Sequence, residues 1–215
     1  MPDISAIAPY AKHFARPLDD VAADLESYAK LLGKWQAVQN LVSRETLAQV
    51  WTRHFADSLQ VLSLVKADDQ RFLDLGSGGG FPALPLAIAS KGTGRSFVLI
   101  EPTARKVSFL RTVARDLDLN VTVIGRRSEE IDSRETGVPD VITSRALAAM
   151  PQLCSWMAPF FGPKTRALLH KGREHVEELT ESGAQWHHDV VVTRSDTDPG
   201  GVIVEVTNLR GKSVI

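Results

Sequence analysis

The stretch Arg71-Phe-Leu-Asp-Leu-Gly-Ser-Gly-Gly-Gly-Phe-Pro82 decides the fold of this 215-residue chain. Its first five residues are a short, mostly apolar run, which predicts a buried β-strand. The glycines that follow let the backbone turn sharply and approach a ligand closely. Pro82 is suited to the first turn of a helix, predicted over residues 82–90. A strand, a glycine turn and a helix in this order are typical of the opening unit of an α/β fold.

Downstream of this unit, strand and helix patterns continue to alternate. Strands are predicted at 71–75, 96–100, 121–124, 140–143, 166–170, 189–193 and 202–206. Helices are predicted at 82–90, 103–118, 150–160 and 173–182. Such alternation predicts a parallel sheet with helices on both faces. Because no long helix separates the last two strands, we expect them to form an antiparallel hairpin at one edge of the sheet.

The segment that precedes the glycine turn has a helical pattern instead. Between residues 17 and 65, apolar side chains recur at spacings of three and four. One stripe is Val21, Leu25, Tyr28, Leu32 and Trp35, and a second is Leu47, Val50, Trp51 and Val61. We therefore predict a helical extension at residues 1–66 and an α/β domain at residues 67–215.

Composition narrows the possible classes of protein but does not identify the function. Apolar residues make up 43% and charged residues 24% of the chain, with a formal net charge of -1. No apolar run approaches the roughly 20 residues that span a bilayer, and the N-terminus lacks a secretory pattern. The single cysteine, Cys154, permits no internal disulfide. We expect a cytoplasmic protein with no membrane contact, and any nucleic-acid partner would need a local basic patch.

The glycine turn indicates the kind of ligand. A dinucleotide site favours G-x-G-x-x-G, but Phe81 occupies the last glycine position of that pattern. The sequence instead follows D-x-G-x-G-x-G, through Asp74, Gly76, Gly78 and Gly80. An acid at the start favours a cationic ligand over pyrophosphate. S-adenosylmethionine has no phosphate and carries a positive sulfonium and a positive ammonium, so both spacing and charge favour it.

A second acid supports the same cofactor. Glu101 follows the second predicted strand, 21 residues after Gly80. In α/β sheets, an acid at this place accepts hydrogen bonds from ribose hydroxyls.

The methyl acceptor is less clearly indicated by these residues. Cys154 is predicted to be a buried apolar residue rather than a nucleophile. The acid-Pro-Pro-aromatic signature of amine methylation is absent after the fourth strand, where Thr143-Ser-Arg-Ala146 stands. A guanine N7 has a free lone pair and needs no general base, so the absence of an evident catalytic base is consistent with that acceptor. No catalytic residue and no metal site are predicted.

Seven segments in order carry a family resemblance. They are Lys34-Trp-Gln-Ala-Val-Gln-Asn-Leu41, Arg53-His-Phe-Ala-Asp-Ser-Leu59, Leu73-Asp-Leu-Gly-Ser-Gly-Gly-Gly-Phe-Pro82, Arg105-Lys-Val-Ser-Phe-Leu110, Arg127-Ser-Glu-Glu130, Ser144-Arg-Ala146 and Leu169-His-Lys-Gly172. From about residue 25 to residue 210, the chain resembles the bacterial small-subunit rRNA guanine-N7 methyltransferases of the G type, also called glucose-inhibited division protein B. The glycine loop alone is only class-specific, whereas R-H-x-x-D-S-L and S-R-A in this order are much more specific.

The resemblance implies a Rossmann-like class I methyltransferase sheet of seven strands with flanking helices and an N-terminal helical extension. It implies S-adenosylmethionine as cofactor and a guanine in the decoding-region loop of 16S rRNA as target, within a small ribosomal subunit or an assembly intermediate. Implied cofactor contacts are Gly76, Phe81, Ser128, Glu129 and Arg145, with Glu101 as the acid at the end of the second strand. Implied RNA-side residues are Arg53, His54, Asp57, Arg145 and Lys171. We expect a monomer.

A basic patch is one way for a nearly neutral protein to bind RNA. The candidate members are Arg105, Lys106, Arg111, Arg115, Arg126, Arg127, Arg145, Lys164, Arg166, Lys171 and Arg173. A solvated helix face explains the first four equally well.

The sequence is also compatible with three other functions. A small-molecule methyltransferase would use the N-terminal helices as a substrate lid and show no salt-dependent RNA affinity. A nicotinamide-dependent oxidoreductase is disfavoured by Phe81. A non-enzymatic RNA or ribosome-assembly binder is disfavoured by the intact glycines and Glu101.

Overall fold

The computed structural model describes residues 3–37 and 39–212. Seven strands form one sheet in the order β3-β2-β1-β4-β5-β7-β6. Their bounds are β1 Arg71–Leu75, β2 Ser96–Ile100, β3 Val121–Ile124, β4 Val141–Arg145, β5 Arg166–Lys171, β6 Trp186–Arg194 and β7 Val202–Gly211. The α-helices are α1 Leu18–Gln36, α2 Arg44–Leu47, α3 Asp57–Leu59, α4 Ala83–Ala89, α5 Ala104–Asp116, α6 Ser133–Thr136, α7 Met150–Met157 and α8 His175–Gln185.

The pairing pattern confirms the predicted α/β sheet. β1 to β5 pair in parallel, and β7 pairs antiparallel with both β5 and β6. The parallel strands require helical crossovers, and the final strands need only the turn at 195–201. As a result, the carboxyl ends of β1, β2 and β4 meet at one edge, where an open α/β sheet binds its ligand.

The N-terminal segment is helical, as predicted, but less regular. The first stripe forms one long helix, α1, whereas the second is divided among α2, a π-helical turn at Trp51–Ala56, α3 and a 3₁₀ turn at Gln60–Leu64. A π turn adds a residue to the helical repeat and changes which side chains face the sheet.

The N-terminal helices do not have a core of their own. Their buried side chains, among them Tyr28 and Phe55, join α4, α5 and one face of the sheet in a single apolar cluster. A second cluster packs α7 against the other face of the sheet. The division at residue 66 stays a prediction. The shared core fixes the helical segment directly against the glycine loop.

Candidate functional site

The glycine loop between β1 and α4 has a backbone that only glycine adopts readily. Gly76, Gly78 and Gly80 have φ angles of +67°, +55° and +96°. A Cβ on Gly76 would lie 2.4 Å from Leu147 Cδ1. On the N-terminal side, the buried hydroxyl of Tyr28 donates a hydrogen bond to the Gly79 carbonyl. Strand, helix and N-terminal extension therefore all contribute to the shape of the loop.

Glu101 lies directly across from this loop. One carboxylate oxygen accepts from the Gly78 N–H at 2.9 Å, and the other accepts from the Thr103 N–H at 2.9 Å. The residue is 4% exposed. A carboxylate has about four lone-pair sites, so these two bonds orient Glu101 and leave acceptor capacity for a ligand.

Asp74 lies beneath the loop. One oxygen of its carboxyl group accepts from the Thr143 hydroxyl at 2.6 Å, while Oδ2 is buried with no hydrogen-bond partner among the described residues. Burial raises the pKa of Asp74 to about 7, with a further contribution from the charge of Glu101. A buried acceptor of this kind favours a donor or a positive charge nearby.

The glycine loop and Glu101 line a cavity of about 380 Å³, here called the loop cavity. Its other walls come from the start of α5, from the segment after β4 and from Leu41. The lining residues are Leu41, Gly76, Ser77, Gly78, Gly79, Phe81, Glu101, Pro102, Thr103, Lys106, Arg145, Ala146 and Leu147.

Arg145, at the end of β4, connects the sheet to the N-terminal segment. Its guanidinium donates to Asp57 Oδ2 at 3.0 Å, to the Arg53 carbonyl at 3.2 Å and to His54 Nδ1 at 2.7 Å. It also lies 5.0 Å from the centre of the Phe81 ring, which stacks on His54. A planar guanidinium suits several fixed acceptors and an aromatic face at once.

This network fixes the charge of its members. Burial, followed by the charge of Arg145, lowers the pKa of His54 to about 3. The ring is therefore neutral: Nδ1 accepts from Arg145, and the Nε2 proton is donated to the Thr46 hydroxyl at 2.9 Å. Burial acts to raise the pKa of Asp57, but His170, the Thr197 hydroxyl and Arg145 hold it below its ordinary value.

A second cavity, here called the polar cavity, adjoins the first. Its volume is about 480 Å³. Leu41, Arg145 and Ala146 line both cavities. The other lining residues are Val42, Ser43, Thr46, Arg53, His54, Asp57, His170, Lys171, Gly172, Ser195, Thr197, Asp198, Gly201 and Val202.

Comparison with known proteins identifies the family. The family described as "GidB: rRNA small subunit methyltransferase G" matches residues 21–197. The chain belongs to this family. A relative from Gluconobacter oxydans (strain 621H), "Ribosomal RNA small subunit methyltransferase G", is 42% identical over 86% of this chain and 93% of its own. One of the same name from Methylobacterium nodulans (strain LMG 21967 / CNCM I-2342 / ORS 2060) is 42% identical over 90% of this chain and 91% of its own.

A solved structure supports the fold. The SAM-dependent methyltransferase from Aquifex aeolicus superposes with a TM-score of 0.58 at 15% identity, over 81% of this chain and 97% of its own. The class I methyltransferase fold, the family resemblance and the assignment as a methyltransferase are thereby confirmed.

The predicted cofactor residues lie at the expected edge, but only some of them line the loop cavity. Gly76, Gly78, Phe81, Glu101 and Arg145 do so. Asp74 and Gly80 lie beneath or beside the loop. Ser128 and Glu129 form a 3₁₀ turn after β3, outside the lining, where Glu129 accepts from Trp156 Nε1 at 2.6 Å. For all of these residues, the role as a cofactor contact stays a prediction.

The predicted RNA-side residues Arg53, His54, Asp57, Arg145 and Lys171 all line the polar cavity. Arg53 is the most exposed of them, and its partner is Asp198 at 3.6 Å rather than Asp57. The Lys171 side chain is 7% exposed and is paired with Glu178 of α8. The RNA contact proposed for Lys171 stays a prediction, and its ammonium already has a strong partner.

The candidate members of the basic patch do not all present a free charge at the surface. Including Arg166 in it was wrong: that residue is 5% exposed and binds Asp69 at 2.6 Å and Glu205 at 2.7 Å. Arg115 and Arg126 each have an acid partner, and Arg111 donates to the Val123 carbonyl. Local pairing therefore neutralises much of the positive charge that is suggested by counting arginines and lysines along the sequence.

Sequence reasoning missed His170 and Ala146. His170 pairs in register with Arg145 across β4 and β5, and its Nε2 lies 2.8 Å from the Asp57 carbonyl. Burial lowers the pKa of His170, so the ring is neutral and donates this bond. A signal was available, because His170 precedes Lys171 at the carboxyl end of a predicted strand. Ala146 lines both cavities with a φ angle of +52°.

Within residues 3–37 and 39–212, no three His, Cys, Asp or Glu side chains are placed to hold a metal ion. No helix in the same part of the chain has the length and apolar character needed to cross a membrane.

Proposed function

We propose that the protein transfers a methyl group from S-adenosylmethionine to N7 of a guanine in the decoding-region loop of bacterial 16S rRNA. One observation carries the proposal: the loop cavity and the polar cavity meet at Leu41, Arg145 and Ala146. Methyl transfer requires the donor carbon and the acceptor atom to be in line and in contact. Two adjoining cavities, one for each reactant, satisfy that requirement.

The loop cavity fits the cofactor. Gly76, Gly78 and Gly79 line the cavity without side chains, which leaves room for a ligand against the backbone. Glu101 is held in place to accept from ribose hydroxyls. Beneath the loop and outside the lining, Asp74 Oδ2 is buried with no hydrogen-bond partner among the described residues, and such an acceptor favours a positive charge nearby. The residues that would hold the cofactor are Gly76, Gly78, Phe81, Glu101 and Arg145, with Ser128 and Glu129 beyond the lining.

When bound, S-adenosylmethionine supplies a methyl group that its sulfonium makes electrophilic. The residues of the chain position and shield the reactants. Phe81, stacked between His54 and Tyr28, forms a rigid wall between the N-terminal segment and the loop. Arg145 is held by three acceptors, so its position at the junction does not depend on the ligand.

The polar cavity suits an acceptor that has no proton to lose. His54 and His170 have lowered pKa values because they are buried. The pKa of Asp57 is lowered as well, and both its oxygens are occupied by Arg145, Thr197 and Gln60. Guanine N7 presents a lone pair in the plane of the base. A cavity whose histidines are neutral and whose carboxylate is already hydrogen-bonded can orient such a base without deprotonating it, in line with a mechanism that has no catalytic base.

The RNA side of the proposal rests on the residues of the polar cavity and on the names of the relatives. Arg53 is half exposed at the rim. His54, Asp57 and Lys171 lie deeper and shape the cavity. We further propose that the substrate is 16S rRNA within a small ribosomal subunit or an assembly intermediate, and that the protein acts as a cytoplasmic monomer.

A transfer assay tests the proposal. Protein is incubated with radiolabelled S-adenosylmethionine and small ribosomal subunits that lack 7-methylguanosine, and the digested nucleosides are chromatographed. We expect the label in 7-methylguanosine. Label in another nucleoside would overturn the guanine-N7 assignment. No label, with cofactor binding intact by calorimetry, would favour a small-molecule acceptor.

A further inference from the structure

A third depression lies on the far side of the turn at 195–201. Its volume is about 780 Å³, and it is here called the arginine groove. It lies between the start of α8, the outer strand β6 and the turn itself. The lining residues are Arg173, His175, Val192, Arg194, Ser195, Pro199, Gly200, Gly201 and Val202.

The arginine groove adjoins the polar cavity. Ser195, Gly201 and Val202 line both depressions, so only the turn at 195–201 separates them. The turn is fixed in place: Gln60 Oε1 accepts from the Asp196 N–H at 2.9 Å, and the Thr197 hydroxyl donates to Asp57 at 2.7 Å. A polymer with one unit in the polar cavity would therefore pass over a fixed ridge into the groove.

The lining of the arginine groove contains two arginines and no acidic residue. Arg173 and Arg194 are both exposed, and neither lies within ion-pair distance of an acid in the described part of the chain. By contrast, Arg115 and Arg126 are paired with acids close to them in sequence. The side chain of Arg173 lies directly on Gly200, where a Cβ would come 2.6 Å from its Nε.

We propose that the arginine groove binds the phosphate backbone of the RNA next to the guanine held in the polar cavity. Exposed guanidinium groups without protein partners form paired hydrogen bonds with phosphate oxygens. Arg173, at the end of the loop after β5, and Arg194, at the end of β6, approach the groove from two sides. This inference rests on the proposed function, because it takes the polymer to be the RNA that is methylated.

The test removes the two charges and measures subunit binding at several salt concentrations. Arg173→Gln/Arg194→Gln is compared with Arg115→Gln/Arg210→Gln, which removes two exposed arginines outside the groove. Each lost phosphate contact lowers the slope of log affinity against log salt by about 0.7 to 0.9. We expect the groove variant to bind small subunits roughly tenfold more weakly at physiological salt, with a slope smaller by about 1 to 2.

Cofactor affinity and thermal melting should be the same in both variants, because none of these arginines lines the loop cavity. The proposal is refuted if the groove variant binds subunits with wild-type affinity and salt slope, or if the control variant loses as much affinity. These outcomes are separate from a failure of the proposed function, in which the wild-type protein itself transfers no methyl group to the subunits.

Discussion

The guanidinium of Arg145 lies 3.0 Å from the carboxylate of Asp57 and thereby ties the end of β4 to the N-terminal helical segment. The two side chains are 18% and 15% exposed. Asp57 also receives hydrogen bonds from Gln60 and from Thr197 in the turn after β6. One carboxylate thus connects three parts of the chain that surround the polar cavity.

Asp57→Asn should therefore destabilise the protein substantially. It leaves the Arg145 charge without its counter-ion in a poorly solvated site, and breaking such a pair costs about 3 kcal/mol. Urea unfolding gives the free energy of unfolding. The control is Glu26→Gln, which breaks the exposed Glu26–Lys30 pair and should cost less than about 0.5 kcal/mol. Equal losses in the two variants would contradict a structural role for Asp57.

The neutral state of His54 predicts a dependence of stability on pH. Burial and Arg145 lower its pKa to about 3, so the unfolded chain takes up this proton first as the pH falls. The stabilisation is complete above the pKa of histidine in the unfolded chain, about 6.5, and is lost progressively as the pH falls towards 3. Between pH 6 and 4, one such group contributes a slope of about 1.4 kcal/mol per pH unit.

His54→Gln retains an acceptor for Arg145 but cannot titrate. Its free energy of unfolding should fall less steeply with acidity over the same range. A wild-type slope in this variant would show that another group, such as His170, accounts for the dependence.

Tyr28→Phe should loosen the glycine loop. It keeps the ring that packs on Phe81 and deletes the hydrogen bond to the Gly79 carbonyl. A buried carbonyl left without its donor costs about 1 to 2 kcal/mol, and calorimetry should show weaker cofactor binding. Tyr10→Phe is the control, because its hydroxyl makes only a long bond of 3.4 Å to Asp196. Unchanged cofactor affinity in the Tyr28 variant would show that the hydroxyl does not contribute to cofactor binding.

Gly78→Ala and Gly92→Ala form a matched pair. Both glycines have positive φ angles, +55° and +91°, so both changes should cost about 1 kcal/mol in stability. Only Gly78 lies in the loop cavity, where its N–H holds Glu101. We expect the cofactor affinity to fall roughly tenfold for Gly78→Ala alone. Similar affinities for both variants would place the cofactor elsewhere.

Cys154 should be dispensable for methyl transfer. It is fully buried on α7, and burial raises the pKa of its thiol to about 11. A thiol in this state is not a nucleophile. Cys154→Ala should retain the wild-type transfer rate, and the native protein should resist alkylation by iodoacetamide. Loss of transfer without loss of stability would instead indicate covalent catalysis.

The sheet and the loop cavity were predictable because local rules determine them. The glycines, the apolar strands and the acid Glu101 each follow from a pattern within a few residues. The loop conformation, with three positive φ angles, is what the D-x-G-x-G-x-G spacing predicts. Sequence also predicted the antiparallel final pair, since a short connection between β6 and β7 permits no crossover.

The polar cavity was harder to predict because its contacts are distant in sequence. Arg53 and Asp57 have a spacing that suggests a local ion pair, but in the structure Arg53 pairs with Asp198 and Asp57 pairs with Arg145. Asp57 instead binds Arg145 and Thr197, which lie far along the chain. Pairings across a sheet edge depend on tertiary packing, and no local pattern encodes them.

The most direct test of the account is to locate the methyl group in the RNA. Small subunits lacking the modification are treated with the protein and S-adenosylmethionine, the 16S rRNA is cut with a base-specific nuclease, and the fragments are weighed by mass spectrometry. We expect one added methyl group, on a guanine in the fragment that contains the decoding-region loop. An unchanged decoding-region fragment beside a methylated fragment from elsewhere would contradict it.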